Sequence, residues 1–400
     1  MLISHMHKKF SSSSVIHFVL LTTFFLGLDP LSAQQKPVDP GHDNLPNTST
    51  EKATAPQETS TNHSSDENKE VPQLPGAKTI LVPDEGKIPV RKNVDYEDWS
   101  KPELTAGMHT EVVPLGKTEE NGMTRELFTV QWRELDPIDL WVMKPAGVKN
   151  PPVVLYLYSF PVTDERYRNM EFCRFLTQKG FAAVGFTSAL TGHRFHDRPR
   201  KETFLNQLQE SMGTSVHDVQ MILNYLSTRG DLDMTRVGIW ADGSGASIAI
   251  MASAVDARIK ALDLLDPWGD WPDWLAKSSL VPEAQRADFL KLDFLASIEH
   301  LEPLKLFPEV KAKQVRLQQI KEGVTVTPNV VAQKIVAAAP ARTTIVRYQN
   351  RNAFLTDVAS KGTGFDWIKG QLGSMILIPD GKGQDLSQVS SGNGTQSNKN

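Results

Sequence analysis

A doubly wound, mostly parallel α/β sheet is the fold class this 400-residue chain predicts, and three observations point to it. Pro152–Tyr158, Phe181–Phe186, Val237–Trp240 and Ile259–Leu265 are short, nearly continuous apolar runs, the pattern of strands covered on both faces. Segments of helical spacing separate them, and strands alternating with helices join into parallel sheets through right-handed crossovers. Finally, Val237–Ile250, VGIWADGSGASIAI, places a strand, a tight glycine turn and the start of an apolar helix in one stretch.

The chain in order begins with His7, Lys8 and Lys9, an apolar run over Val15–Leu28, then Pro30-Leu31-Ser32-Ala33. That layout is a secretory signal cleaved after Ala33, which makes the mature chain secreted or periplasmic. The run is short for a membrane span and no other stretch is longer, so no transmembrane span is expected in the mature chain. Residues 34–78 are rich in Pro, Thr, Ser, Asn, Glu and Lys and nearly free of aromatics. They and the tail, 387–400, read as disordered segments around a domain over 79–386. Asn47, Asn62 and Asn393 open N-x-S/T sequons. Cys173 is the only cysteine, so no internal disulfide forms, and in MEFCRFL it reads as a core residue. The net charge of −4 is spread along the chain without a basic stripe, so nucleic acid is not an expected partner.

Inside the domain, His109–Leu115 and Glu126–Arg133 alternate, and Asp139–Met143 pairs back after the Asp136-Pro137 turn, so the sheet opens antiparallel. Tyr167–Lys179 is spaced as a helix that Gly180 stops, and Ser215–Leu226 as an amphipathic helix. From Asp266 to Ala341 the spacing predicts a helical insertion, with helices around Glu283–Glu299, Pro308–Lys321 and Pro328–Ala339. Thr343–Tyr348 resumes the sheet and Met375–Ile378 reads as its last strand.

Ala241-Asp242-Gly243-Ser244-Gly245 has the frame of a nucleophile elbow, whose central residue needs small neighbours two before and two after. Centred on Gly243, those neighbours are Ala241 and Gly245. Centred on Ser244 they are Asp242 and Ala246. With Asp242 as a carboxylate nucleophile they are Trp240 and Ser244, the worst fit. Glycine also takes strained backbone angles at little steric cost. On this turn and the preceding HDVQMILNYLSTRGDLDMTR, the chain resembles the alpha/beta hydrolases, in the branch of dienelactone hydrolases, secreted esterases and acyl peptidases. The resemblance covers about Glu111 to Asp385. It implies an alpha/beta-hydrolase fold with a helical lid at about 266–341, and a nucleophile's place at Gly243.

The same resemblance places the other catalytic groups. The family acid follows the strand after the lid; in TTIVRYQNRNA that loop offers Asn350 and Asn352, with Asn352 at the acid's place and Asp357 too far along. The family histidine follows the last strand, often as P-x-x-G-H; here Pro379-Asp380-Gly381-Lys382-Gly383-Gln384 puts Gln384 there. No histidine occurs after His300, and a glutamine amide does not titrate near neutral pH. Gly243, Asn352 and Gln384 together imply a degenerate triad. The electrostatic frame persists: the Ser244 backbone N–H, with a second donor from Ser159 or Phe160, could face an oxyanion or carboxylate, or bind only water.

Two other stretches carry candidate chemistry. Ser244 with a base relocated to His193 or His196, in TGHRFHD, would make a working carboxylic-ester hydrolase; the plainer reading is solvated loop histidines. His193, His196 and Asp197 lack an i, i+4 spacing and a third ligand, so no metal is expected. Asp266–Trp274, DPWGDWPDW, follows the Ile259–Leu265 strand, at the sheet end where open α/β sheets place ligands. Trp268, Trp271 and Trp274 there are either the aromatic wall of a ligand pocket or a clamp for the insertion; the aspartates lack the EF-hand calcium pattern. The expected function is a cofactor-free, degenerate hydrolase that binds a small molecule or an envelope partner. A working esterase and an envelope scaffold are the alternatives.

Overall fold

The computed structural model describes residues 110–133, 136–160, 164–195, 205–322, 327–360 and 365–374, all within one compact unit. The signal, the 34–78 linker, the 387–400 tail, the Met375–Ile378 strand, His196, Asp197 and Gln384 lie outside the described residues.

Strands β1 (Glu111–Glu120), β2 (Met123–Gln131) and β3 (Ile138–Pro145) form an antiparallel meander. Six parallel strands follow: β4 (Pro152–Leu157), β5 (Ala182–Phe186), β6 (Asp233–Asp242), β7 (Ile259–Leu265), β8 (Gln314–Glu322) and β9 (Thr344–Asn350). The sheet order is β1-β2-β3-β5-β4-β6-β7-β8-β9. The chain therefore leaves β4 outward to β5 and crosses back to β6, which makes the C-terminal ends of β4 and β6 the switch point where open sheets form crevices. Every residue of β4 and β5 is buried, which is why those runs are apolar throughout.

Helices α1 (Met170–Thr177), α2 (Leu208–Thr228), α3 (Gly243–Val255), α4 (Trp271–Lys277), α5 (Arg286–Phe289), α6 (Leu292–Ile298), α7 (Pro303–Leu306), α8 (Asn329–Ala338), α9 (Arg351–Ser360) and α10 (Asp366–Ser374) cover the two faces. One apolar cluster gathers α2, α3, α8 and the α4–α7 region on one face; another gathers α1, α9 and α10 on the other. The α3 helix is apolar on all sides because α2, α7 and the sheet surround it.

The expected 266–341 insertion is corrected here. Pro308–Lys321 does not form a helix: Gln314–Glu322 is β8, paired in parallel between β7 and β9. Its Leu, Gln, Lys and Arg favour helix locally, and the tertiary pairing overrides them. Its two faces also differ. Val315 and Leu317 enter the core, whereas Arg316 and Gln318 turn to the buried Asp263 on β7, with Arg316 Nε and Gln318 Nε2 each 2.8 Å from Asp263 Oδ1. That polar face hides the apolar run expected of an inner strand. The excursion is thus the short helices α4–α7, packed on the α3 side of the sheet.

A buried ion cluster ties the segment before β3, α2 and the 192–195 turn together. Arg194 grips Asp136 (Nε–Oδ1 2.9 Å) and Asp218 (Nη1–Oδ2 2.8 Å) and donates to the Thr187 carbonyl at 2.9 Å. Burial opposes its charge, yet the two carboxylates outweigh burial and hold it charged.

On the opposite face, Lys369 of α10 is 2% exposed, and its Nζ donates to the Gln178 carbonyl at 3.0 Å. Burial pushes its amine down to about 7, with neighbouring Lys179 adding to the drop and Asp366 opposing it. The folded state therefore binds fewer protons than the unfolded state between about pH 7 and about pH 10.5, and stability rises with pH across that window. Below it the full penalty, up to about 4–5 kcal/mol, is present. Lys369→Met should be more stable than the parent at about pH 6 and lose the alkaline rise, as read from urea midpoints.

Candidate functional site

The elbow joins β6 to α3 at the switch point. Asp242 is extended (φ −128°, ψ 151°) and Gly243 has φ +53°, so the left-handed backbone of the turn falls on Gly243. The space in front of Gly243 is filled. A Cβ there would stand 2.8 Å from Ser159 Cβ and 3.2 Å from Trp268 Nε1, and nearer still to Ser159 Oγ.

The backbone donors expected to face an oxyanion are also occupied. The Ser244 N–H donates to Ser159 Oγ at 3.3 Å, the Phe160 N–H to Ser244 Oγ at 2.8 Å, and the Ser159 N–H to Asp242 Oδ1 at 2.8 Å. Ser244 is buried, and its hydroxyl lies 3.4 Å from that of Ser159. The side chains of Ser159, Ser244 and Asp242 thus accept from all three of these amides.

The surrounding charges do not favour an anion either. Burial pushes the Asp242 carboxyl up, against the Ser159 amide, Arg166 and Arg351. Asp266, at the end of β7 with φ +44°, is pushed up to about 7 by burial; Asp242 adds to this, while the Ile320 amide at 3.0 Å and Arg351 oppose it. Burial is thus the first cause at both carboxyls, and Asp242 adds to it only at Asp266.

The remaining candidates are dispersed. His193 Nε2 is 2.9 Å from the Pro137 carbonyl and Nδ1 is 3.7 Å from Asp139 Oδ2, at the start of β3. Because β5 and β4 lie between β3 and β6, three inter-strand steps put it about 14 Å from the elbow. The structure does not bring His193 to Ser244. Asn352 is exposed in the first turn of α9, after β9. Tyr348 Oη donates to Asp357 Oδ2 at 3.1 Å.

Trp268, Trp271 and Trp274 are all buried, so the open aromatic rim is corrected to a clamp. Trp268 and Trp274 lie 4.5 Å apart by ring centroid, and Trp271 meets Trp274 edge-on at 6.1 Å. The Trp271 indole donates to the Leu301 carbonyl at 2.9 Å. Glu302 accepts from the Asp270, Trp271 and Leu304 amides at 2.8, 3.0 and 3.1 Å. One buried carboxylate thereby caps α4 and α7 and pins the excursion to its own start. Trp268 alone reaches the elbow. Ser159 as a plug and Glu302 as a double cap carry no sequence signal, because neither sits in a motif.

No family profile matches the sequence, and no curated protein matches it by sequence. By structure the chain is similar to an acetyl xylan esterase from Paenibacillus sp., at 12% identity over 70% of this chain and 95% of that one, with a TM-score of 0.53. It is also similar to acetyl xylan esterase 1 from Thermoanaerobacterium sp., at 11% identity over 66% and 91%, with a TM-score of 0.52. Together with the sheet order, these likenesses show an alpha/beta-hydrolase fold. At such identities they establish the fold alone.

Proposed function

We propose that this is a non-hydrolytic alpha/beta-hydrolase-fold protein that is exported and acts by binding. The observation that carries the reading is the closed elbow: Gly243 offers no nucleophile, and Ser159, Ser244 and Asp242 satisfy the donors an oxyanion would need. The strand count supports it and moves one assignment. The strand after the excursion is β8, and on that count we read the acid's place after Glu322 and the base's place at Asn352, after β9. An asparagine amide cannot take a proton near neutral pH. Export rests on the layout of residues 1–33; among the described residues no helix is long and apolar enough to cross a membrane.

Turnover of p-nitrophenyl acetate tests the reading. In a serine protease, loss of the serine or the histidine alone costs about 10⁶ in turnover. Background rates are expected here, with no labelling of Ser244 by a fluorophosphonate. Gly243→Ser should stay at background, since its side chain meets Ser159 and Trp268. Ordinary enzyme rates that Ser244→Ala abolishes would overturn the proposal.

A further inference from the structure

Away from the elbow, a cavity of about 440 Å³ opens between the start of α2 and α6. A short connection, 229–232, joins the end of α2 at Thr228 to the start of β6, so the first turn of α2 lies toward the rim formed by the C-terminal strand ends. No residue of the 242–245 turn lines the cavity. Its volume falls within the range of about 300–1,000 Å³ typical of small-molecule sites.

The lining has a definite chemistry. Asn206, Gln207 and Gln209 bring three amides, Arg133 and Glu210 one charge of each sign, and Phe294 of α6 the aromatic ring. Each amide carries both donors and an acceptor, which complements hydroxyl groups that are themselves both. Arg133 and Glu210 face each other at 3.5 Å, so the site has no net charge with which to select an ion. Arg133 is also anchored from behind, 3.2 Å from Asp136 Oδ2 and 3.3 Å from Thr214 Oγ1. Asp136 belongs to the buried Arg194 cluster, so the floor of the cavity rests on a rigid support.

We propose that this cavity binds a neutral saccharide, its hydroxyls on the amides and the Arg133–Glu210 pair and one ring face against Phe294. The proposal rests on the reading that the protein acts by binding. The test is titration of the mature chain with xylobiose, cellobiose and maltose, followed by calorimetry and saturation-transfer NMR, with glucuronate and glucosamine as charged comparators. At least one neutral disaccharide should bind with a Kd of about 1 mM or tighter. Gln209→Leu and Phe294→Leu should each weaken it about 10-fold, while Leu292→Ala, on the same helix but outside the lining, leaves it unchanged. Phe294→Leu keeps apolar bulk, and a thermal melt of each variant confirms folding. Retention on insoluble xylan or cellulose separates a polymer from a free sugar. Absence of saturable binding at about 10 mM, indifference to both lining variants, or preference for a charged comparator would overturn the proposal. The ester assay reads the elbow and this titration reads the cavity, so either can fail without the other.

Discussion

Gly245→Ala is expected to destabilise the protein by about 3 kcal/mol or more, the upper end of overpacking costs. Gly245 sits in the first turn of α3, where the helix presses on the end of β4. A Cβ there would lie 2.6 Å from the Leu157 carbonyl carbon and 2.9 Å from the Tyr158 oxygen, and closer still to the Leu157 oxygen. These are backbone atoms at the end of an inner strand, where Leu157 pairs with Ala241 of β6, and no rotamer change moves them. Alanine gains about 1 kcal/mol of helix propensity over glycine, which is too little to offset the clash. A fall in the urea midpoint without a change in slope checks this; an unchanged midpoint would show that strand and helix separate more readily than the packing implies.

Arg194→Met should cost about 3–5 kcal/mol, a large part of a typical domain's stability. Methionine fills much of the volume but leaves Asp218 buried without its cation, while Asp136 keeps Arg133 at 3.2 Å. Burial already raises the Asp218 carboxyl in the parent against the pull of Arg194, and without Arg194 it would rise further above the unfolded value of about 3.9. A group whose folded pKa is raised loses its contribution as pH rises through that pKa. The deficit should therefore be smaller near pH 4 than near pH 7. A deficit that does not change with pH would mean lost packing, not uncompensated charge. Because Arg133 shares Asp136, the same variant should also loosen the saccharide cavity.

The fold was legible where burial is uniform. The β4, β5, β6 and β7 runs are apolar because both faces of each strand are covered, and a strand covered on both faces needs no partner to be recognised. The elbow was legible because one glycine must take a positive φ and another must let helix and strand touch, and both demands act within five residues. What local pattern could not convey was anything that depends on a neighbour distant in sequence. Gln314–Glu322 carries helix-forming residues and becomes a strand only because β7 and β9 offer open edges and Asp263 offers Arg316 and Gln318 a partner.

The same limit governs the site. That Gly243 offers no side chain to attack a carbonyl follows from the residue type and holds in any environment. That the site is also closed follows from Ser159, 84 residues away, turning its hydroxyl onto the Ser244 amide at 3.3 Å, and from Trp268 arriving from the end of β7. Whether an amide is free to polarise a carbonyl depends on what the fold places within about 3 Å of it. No residue type or spacing within the turn encodes that distance.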